Sequence, residues 1–467
     1  MAQADASCKA RLHSVEPTDE CLTGRAGLSL FARYIHTTGI VGSLADRFAP
    51  LRKNGKGLSP AELFHQLLCF FADGTNLHLT HFDELAEDPG YAGAIETAPE
   101  RMASSHQVKR WLGAFGLSQV GSFRAVLREL FAWRLRVQKP EVVVLDLDPM
   151  LMHCEHAHRR EGVALTYKKT PGFLPLQLTW EGRVVDALFR GGSAQGNRRD
   201  TVVHMVRRVV KLVRQTLGPD VPIVLTTDAQ FLDQDNFAVF EDELGIGYAC
   251  AGKLYTSIRS LAEGSSEDQW EAVRAGQEAE RWEVLSFGDR RGKWTRFRRA
   301  LYSRLLAEAG QYLLRFARHD SLTYTNLGMG FPVDRQLKDA GLSEWLTDSG
   351  VLELYHGRGR SELVHRALKD FGVERPPLKR FWANTAYYYT MVVAFAAFVA
   401  FKEDVTAHVV PAVSYPTTVR RRVFDIAGKV VRTGRRVLLK VARTVWRRLA
   451  FVDLWRRANA PPVLSCT

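Results

Sequence analysis

Glu141-Val142-Val143-Val144-Leu145-Asp146-Leu147-Asp148, closed by Pro149, is a continuous apolar, β-branched run that ends in acid. Such a run, with no polar alternation until its last residues, predicts a strand buried on both faces and central in a sheet. Pro222-Ile223-Val224-Leu225-Thr226-Thr227-Asp228 repeats the pattern and also ends in acid. Between them, Val202, Val206, Val209, Val213 and Leu217 fall at three-to-four spacing, so Thr201–Leu217 is predicted helical, stopped by Gly218-Pro219. Gly162–Lys168 and Arg183–Phe189 are strand-like, and a helix around Asn236–Leu244 with a short strand Gly247–Gly252 completes the unit. Strands come first and then alternate with helices, which predicts a mixed α/β sheet.

Outward from this unit the texture changes. Residues 1–25 read as a flexible tail and 26–138 as a helical N-terminal domain, for DNA binding or dimerisation or as a plain cap on the core. Ser59-Pro60 before Leu63, Leu67 and Phe70 marks one helix start there, and Ser104-Ser105 before Val108, Leu112 and Phe115 another. The α/β unit is placed at 139–402, with 253–345 as a β-rich insertion. Within the insertion, Arg299–Arg304 and Gln311–Phe316 suggest strands of a separate sheet. Ala383–Phe401 is apolar enough to resemble a membrane span, but Asn384, Thr385, Thr390 and three tyrosines favour a buried core helix, and no membrane partner is expected. Residues 403–467 read as a basic helical region.

The chain has 467 residues, 46% of them apolar and 25% charged, a globular balance that argues against a disordered or low-complexity chain. Six cysteines without a CxxC pair point to neither a zinc ribbon nor a disulfide framework. The net charge of +13 is concentrated: Arg420–Arg457 holds thirteen Lys/Arg and two Asp, leaving about +2 for the rest. A soluble chain with such a module usually meets a polyanion. At 100° per residue, Arg432, Arg436, Lys440, Arg443 and Arg447 fall within about 80° of a helix, with Val430, Leu438, Val441, Val445 and Leu449 opposite.

Acids at strand ends suggest a site, because open α/β sheets carry active groups there. Asp148, with Asp146 two residues back on the same face, and Asp228 are two; Glu362 is a third, far along the chain. Converging carboxylates suit Mg²⁺, and two such ions support phosphoryl transfer. Acids at strand ends also cap helices, and the pattern alone leaves both roles open. Glu362, His365, Arg366 and Lys369 fall within about 100° of a helix, with Val364, Ala367, Leu368 and Phe371 opposite.

Tyr355, Arg358, Glu362 and Lys369 form Tyr-x2-Arg-x3-Glu-x6-Lys. Four residue types at three fixed gaps resemble the signature of one branch of the bacterial insertion-sequence DDE transposases. Val144–Asp148 resembles that family's first catalytic strand, Ile223–Asp228 with Phe231 its second, and Tyr324–Leu327 the strand after its inserted sheet. Ala383-Asn384 with the apolar helix resembles its closing helix, and Arg420–Arg436 its basic tail, so the likeness runs from about 26 to 450. Met150, Thr227 and Ala229-Gln230 depart from the pattern around the two Asp residues.

The resemblance implies a ribonuclease-H-like DDE domain with a β-rich insertion between the second Asp and the Glu. Asp148, Asp228 and Glu362 would hold two Mg²⁺ ions, with Mn²⁺ as a substitute and Asp146 as a further candidate ligand. Tyr355, Arg358 and Lys369 would grip the phosphates of a transposon end. The implied activity is cleavage at transposon ends and strand transfer into target DNA. Implied partners are terminal inverted repeats and target DNA, bound by a homodimer in the bacterial cytoplasm at the nucleoid. Alternative readings are a ribonuclease-H-like nuclease without strand transfer, or a chain that only binds DNA. His153–His158 is rich in ligand types but has no zinc spacing, and Trp282 and Trp294 among arginines could receive a flipped base but read first as core.

Overall fold

The computed structural model describes residues 12, 14–52, 55–155, 159–194, 201–274, 280–292, 294–308, 311–312, 319–372 and 375–464. The expected strand forms over Val143–Pro149 (β1), and Leu176–Trp180 (β2) and Arg183–Leu188 (β3) continue from it as an antiparallel meander. Ile223–Thr227 (β4) runs parallel to β1 on its other side, and Gly247–Ala251 (β5) parallel to β4. Trp270–Arg274 (β6), Arg281–Asp289 (β7), Arg298–Glu308 (β8) and Asp320–Thr325 (β9) follow. The order is β6-β7-β8-β9-β5-β4-β1-β2-β3, with Gln311–Tyr312 added on β8 in a ten-stranded sheet.

The inserted strands therefore do not make a separate sheet. β9 pairs with β5, Thr323 opposite Ala251 and Thr325 opposite Ala249, and so extends the central sheet. The segment also carries helices at Thr256–Gly264 and Pro332–Asp339. Residues 313–316 of the expected strand lie outside the described residues.

One face of the central strands carries Val143, Leu145 and Leu147, all buried against the apolar stripe of the Thr201–Leu217 helix and against Phe131 and Leu135 of the Leu117–Gln138 helix. Strand alternation then turns Val142, Val144, Asp146 and Asp148 to the opposite face. A second core gathers the N-terminal helices around Phe381–Phe401. Phe381–Thr406 is long and apolar enough to cross a membrane, yet its whole apolar window is buried inside the fold. Ser59 and Ser104 cap their helices with full capping boxes, as expected.

Ion pairs bolt the helical region to the sheet. Arg124 grips fully buried Asp186 of β3 through two hydrogen bonds of 2.7 and 2.6 Å. Arg134 grips Asp404 at 3.0 and 2.8 Å and reaches Glu403 at 2.9 Å, and Glu403 also pairs with Arg183 of β3. Buried pairs of this kind are costly to break on one side only.

Two expectations about the chain ends are corrected. The last residues of the supposed tail join the fold: Leu22–Thr23 is a strand, and Arg25 pairs with Asp73 at 2.8 Å. The basic region is not one helix. Gly428–Thr433 and Arg436–Val441 form an antiparallel hairpin, followed by helices Arg443–Arg448 and Phe451–Asn459. Gly434 takes φ +60° in the two-residue turn, and the valines on either side suit a pleated strand. Arg432 therefore shares a face with Val430 and Val437, while Arg436 and Lys440 share the other, and Arg443 and Arg447 lie on the next helix. All five are exposed, but they form no single helical stripe.

Arg420 departs most from the polyanion-facing expectation. It is buried, and its guanidinium donates to the carbonyls of Phe71 and Ala72 at 2.8 and 2.9 Å and of Asp370 and Phe371 at 2.9 and 2.8 Å. One side chain thus satisfies the C-terminal carbonyls of the Pro60–Asp73 and Gly359–Phe371 helices, where a cation also meets the negative ends of both dipoles.

Candidate active site

The parallel register of β1 on β4 sets Asp146 opposite Thr226 and Leu147 opposite Thr227. One step further, Asp148 stands level with Asp228, which lies just past the end of β4. Asp228 caps the short turn Ala229–Phe231, its Oδ1 accepting the Ala229 N–H at 2.6 Å. The carboxylate is therefore fixed by the strand-to-turn transition itself. Behind it sits Cys250 of β5, fully buried, whose Sγ lies 3.7 Å from the Asp228 carbonyl. Burial pushes this thiol up to about 12, so it stays protonated at neutral pH.

Helices Asp348–His356 and Gly359–Phe371 cover the carboxylate-bearing face, joined through Gly357 and Arg358. Val364, Leu368 and Phe371 bury the apolar side of the second helix, as its spacing predicted. This docking brings Arg358 onto the strand acids. Its Nε donates to Asp146 Oδ1 at 3.0 Å and its Nη2 to Asp148 Oδ1 at 3.0 Å. Burial works to lower the Arg358 pKa, but the carboxylates of Asp146 and Asp148 outweigh it and hold the group well above its ordinary value. Asp146 also accepts the Thr226 hydroxyl at 2.6 Å.

Tyr355 lies in the last turn of the preceding helix and hydrogen-bonds Arg358; burial pushes its hydroxyl up, and the charge and hydrogen bond of Arg358 offset only part of that rise. The ring of His365 approaches Asp148 Oδ2 to 3.6 Å. Burial, then the charges of Lys369 and Arg358, bring His365 down to about 4, so the ring is neutral at pH 7 and the approach is not an ion pair. Lys369 follows one turn later on the same helix.

Glu362 belongs to this helix, three positions before His365, and the side chains of 359–362 lie outside the described residues. Among the described residues no three His, Cys, Asp or Glu side chains gather into one metal-holding group. The structure thus brings Asp146, Asp148, Asp228, Tyr355 and Arg358 into one neighbourhood. It does not bring the five basic residues of the C-terminal region into it.

Carboxylates such as Asp148, at the end of β1, and Asp228, just past the end of β4, are the hard oxygen donors that would suit a divalent cation, and Arg358 donates to the first of them. Along the same face runs a cleft of about 570 Å³ that includes Asp146, Thr226, Trp180, Trp345, Glu353 and Arg358. A larger cleft of about 940 Å³ lies elsewhere, against the C-terminal hairpin, and none of the site acids lines it.

Tyr167 and Thr226 are site neighbours that residue spacing did not single out, and His365 is one that spacing placed on the polar face of its helix without a role. Tyr167 is half exposed, and its pKa is raised by burial and then by Asp148 and Asp228, which places it at the mouth of the site. Trp282 is buried against His356 with centroids 4.5 Å apart, and Trp294 packs on Phe237 and Tyr324, so both serve the core. Of the ligand-rich stretch, His153 lies 3.9 Å from Glu155, and 156–158 lie outside the described residues.

A family model described as Transposase DDE domain group 1 matches residues 9–460. The chain belongs to this family. It is a transposase, an enzyme that cleaves DNA, and DNA is its partner. Enzymes of this class generally use divalent metal ions. No curated protein matches the transposase in sequence. Among solved structures, the cryo-EM structure of piggyBac transposase synaptic complex with hairpin DNA is similar to 93% of this chain over 82% of its own, at 12% identity and a TM-score of 0.43.

Proposed function

We propose that this transposase cuts the ends of an insertion sequence and joins them to target DNA, in a Mg²⁺-dependent reaction on a ribonuclease-H-like core. The observation that carries this reading is the register that levels Asp148 with Asp228 beneath the helix bearing Glu362. The core order β3-β2-β1-β4-β5, antiparallel in its first three strands and parallel in the rest, supports the ribonuclease-H-like assignment. Asp148, Asp228 and Glu362 would hold the metal. Two bound ions, with Mn²⁺ as a substitute, would activate water or a 3′-hydroxyl and stabilise the leaving 3′-oxygen.

The chain's own groups do the rest. Arg358 offers a planar fork for a phosphate, Lys369 a point charge, and Tyr355 orients Arg358. Burial around Arg358 lowers the local dielectric, which strengthens its hold on an incoming phosphate. The exposed Arg432, Arg436, Lys440, Arg443 and Arg447 meet the DNA backbone on a surface apart from the acids, and the bound species is a homodimer at the nucleoid.

A labelled transposon end incubated with Mg²⁺ and a target plasmid tests the reading. Joined product is expected; hydrolysed ends with no joined product would instead mark a nuclease. Alanines at Arg436, Lys440 and Arg443 are expected to weaken DNA binding and reduce the slope of log K against log salt by up to about 2.7, at roughly 0.9 for each phosphate no longer neutralised. An unchanged slope would remove this surface from the DNA path.

A further inference from the structure

The geometry points to Asp146 as the positioning residue of Arg358 rather than a ligand of the metal, an inference that rests on the reading of the site proposed above. The two strand acids are held differently. Asp146 is buried, and its Oδ1 takes the Thr226 hydroxyl at 2.6 Å and Arg358 Nε at 3.0 Å. Thr226 is its neighbour across the parallel ladder, so the sheet itself fixes that hydroxyl. Asp148 lies two residues nearer the open end, is more exposed, and stands level with Asp228.

One edge of the guanidinium thus spans two carboxylates instead of closing on one. Withdrawing Nη2 from Asp148 leaves Nε on Asp146. With Asp148 given over to a cation, Arg358 would keep its Nε hydrogen bond to Asp146 and its Nη2 would be available to a DNA phosphate, so Asp146 would hold the arginine in place. Its Oδ1 serves both Thr226 and Arg358, which is the behaviour of a support.

Two readouts test this without turnover. Mn²⁺ binding is followed by loss of the free-ion signal in electron paramagnetic resonance, with no DNA present. Asp148→Asn is expected to weaken it at least about tenfold more than Asp146→Asn, since only the former removes a ligand. DNA-end affinity is followed by fluorescence anisotropy without Mg²⁺. Asp146→Asn is expected to weaken it about tenfold, the worth of one charge-assisted hydrogen bond. Arg358→Gln should cost at least as much, and the double variant no more than Arg358→Gln alone. Thr226→Val, which frees Asp146 from its other donor, should give a smaller loss of the same kind and covers the case of an Asp146→Asn chain that fails to fold. Equal Mn²⁺ losses for the two Asn variants, or additive DNA losses, would overturn the assignment. A parent chain that takes up no Mn²⁺ would sink the metal-site reading instead, and the DNA cycle would still decide the role of Asp146.

Discussion

Asp228→Asn is expected to lower Mg²⁺-dependent cleavage of a labelled transposon end by about a thousandfold or more, with DNA affinity and the thermal midpoint close to those of the parent. The size follows from the several kcal/mol of charge stabilisation a catalytic metal supplies, at about 1.4 kcal/mol per factor of ten. Folding survives because the carboxylate's structural task is to accept the Ala229 N–H, which an amide oxygen does as well. Gel-resolved cleavage beside anisotropy on the same preparation separates chemistry from binding. Cleavage within tenfold of the parent would discard Asp228 as a metal ligand.

The largest loss of stability is expected from Arg420→Met. Methionine fills much of the same space but donates nothing, so four carbonyls at two helix ends lose their partner in a buried place. Stranding buried polar groups costs about 1–3 kcal/mol each, with local relaxation recovering part, so a total on the order of 4 kcal/mol is expected. Urea unfolding should show it as a lower midpoint. Arg421→Met and Arg422→Met, at exposed neighbours, should stay within about 0.5 kcal/mol of the parent. Gly74→Ala should mimic the loss in part. Gly74 sits at φ +61°, and a methyl group there would come within 2.1 Å of the Arg420 guanidinium carbon. Equal effects at all three arginines would remove the clamp from the account.

What the sequence announced was mostly local. The Glu141–Asp148 and Ile223–Asp228 runs, the Thr201–Leu217 stripe and the Ser59 and Ser104 caps are short-range patterns, and each stands where its pattern put it. What it concealed depended on distant partners. The basic stretch from Val430 to Val441 fits a helix wheel when charge alone is followed, but Gly434 and the paired valines fold it into a hairpin stabilised by Leu22–Thr23 from the far end of the chain. The inserted strands join the central sheet through the pairing of Thr323 with Ala251, which no short window contains. Arg420 counted toward a cationic surface until its carbonyl partners, some 350 positions earlier, were in view. At the site, spacing picked Arg358 by its place in a motif. The resemblance ranked Asp148 above Asp146, but it could not show what Asp146 does instead, which depends on Thr226 of the neighbouring strand.

The seam between Leu22–Thr23 and Gly428–Thr433, with Ala26 bonded to Ile426 and Leu464 to Thr38, sets a timetable for synthesis. At translation speeds of about 5–20 residues per second, a nascent chain waits roughly 20–80 s between emitting the first side of this closure and the second. A chain lacking Gly428–Thr433 would carry Asp148, Asp228 and Glu362 but leave Leu22–Thr23 without its partner strand.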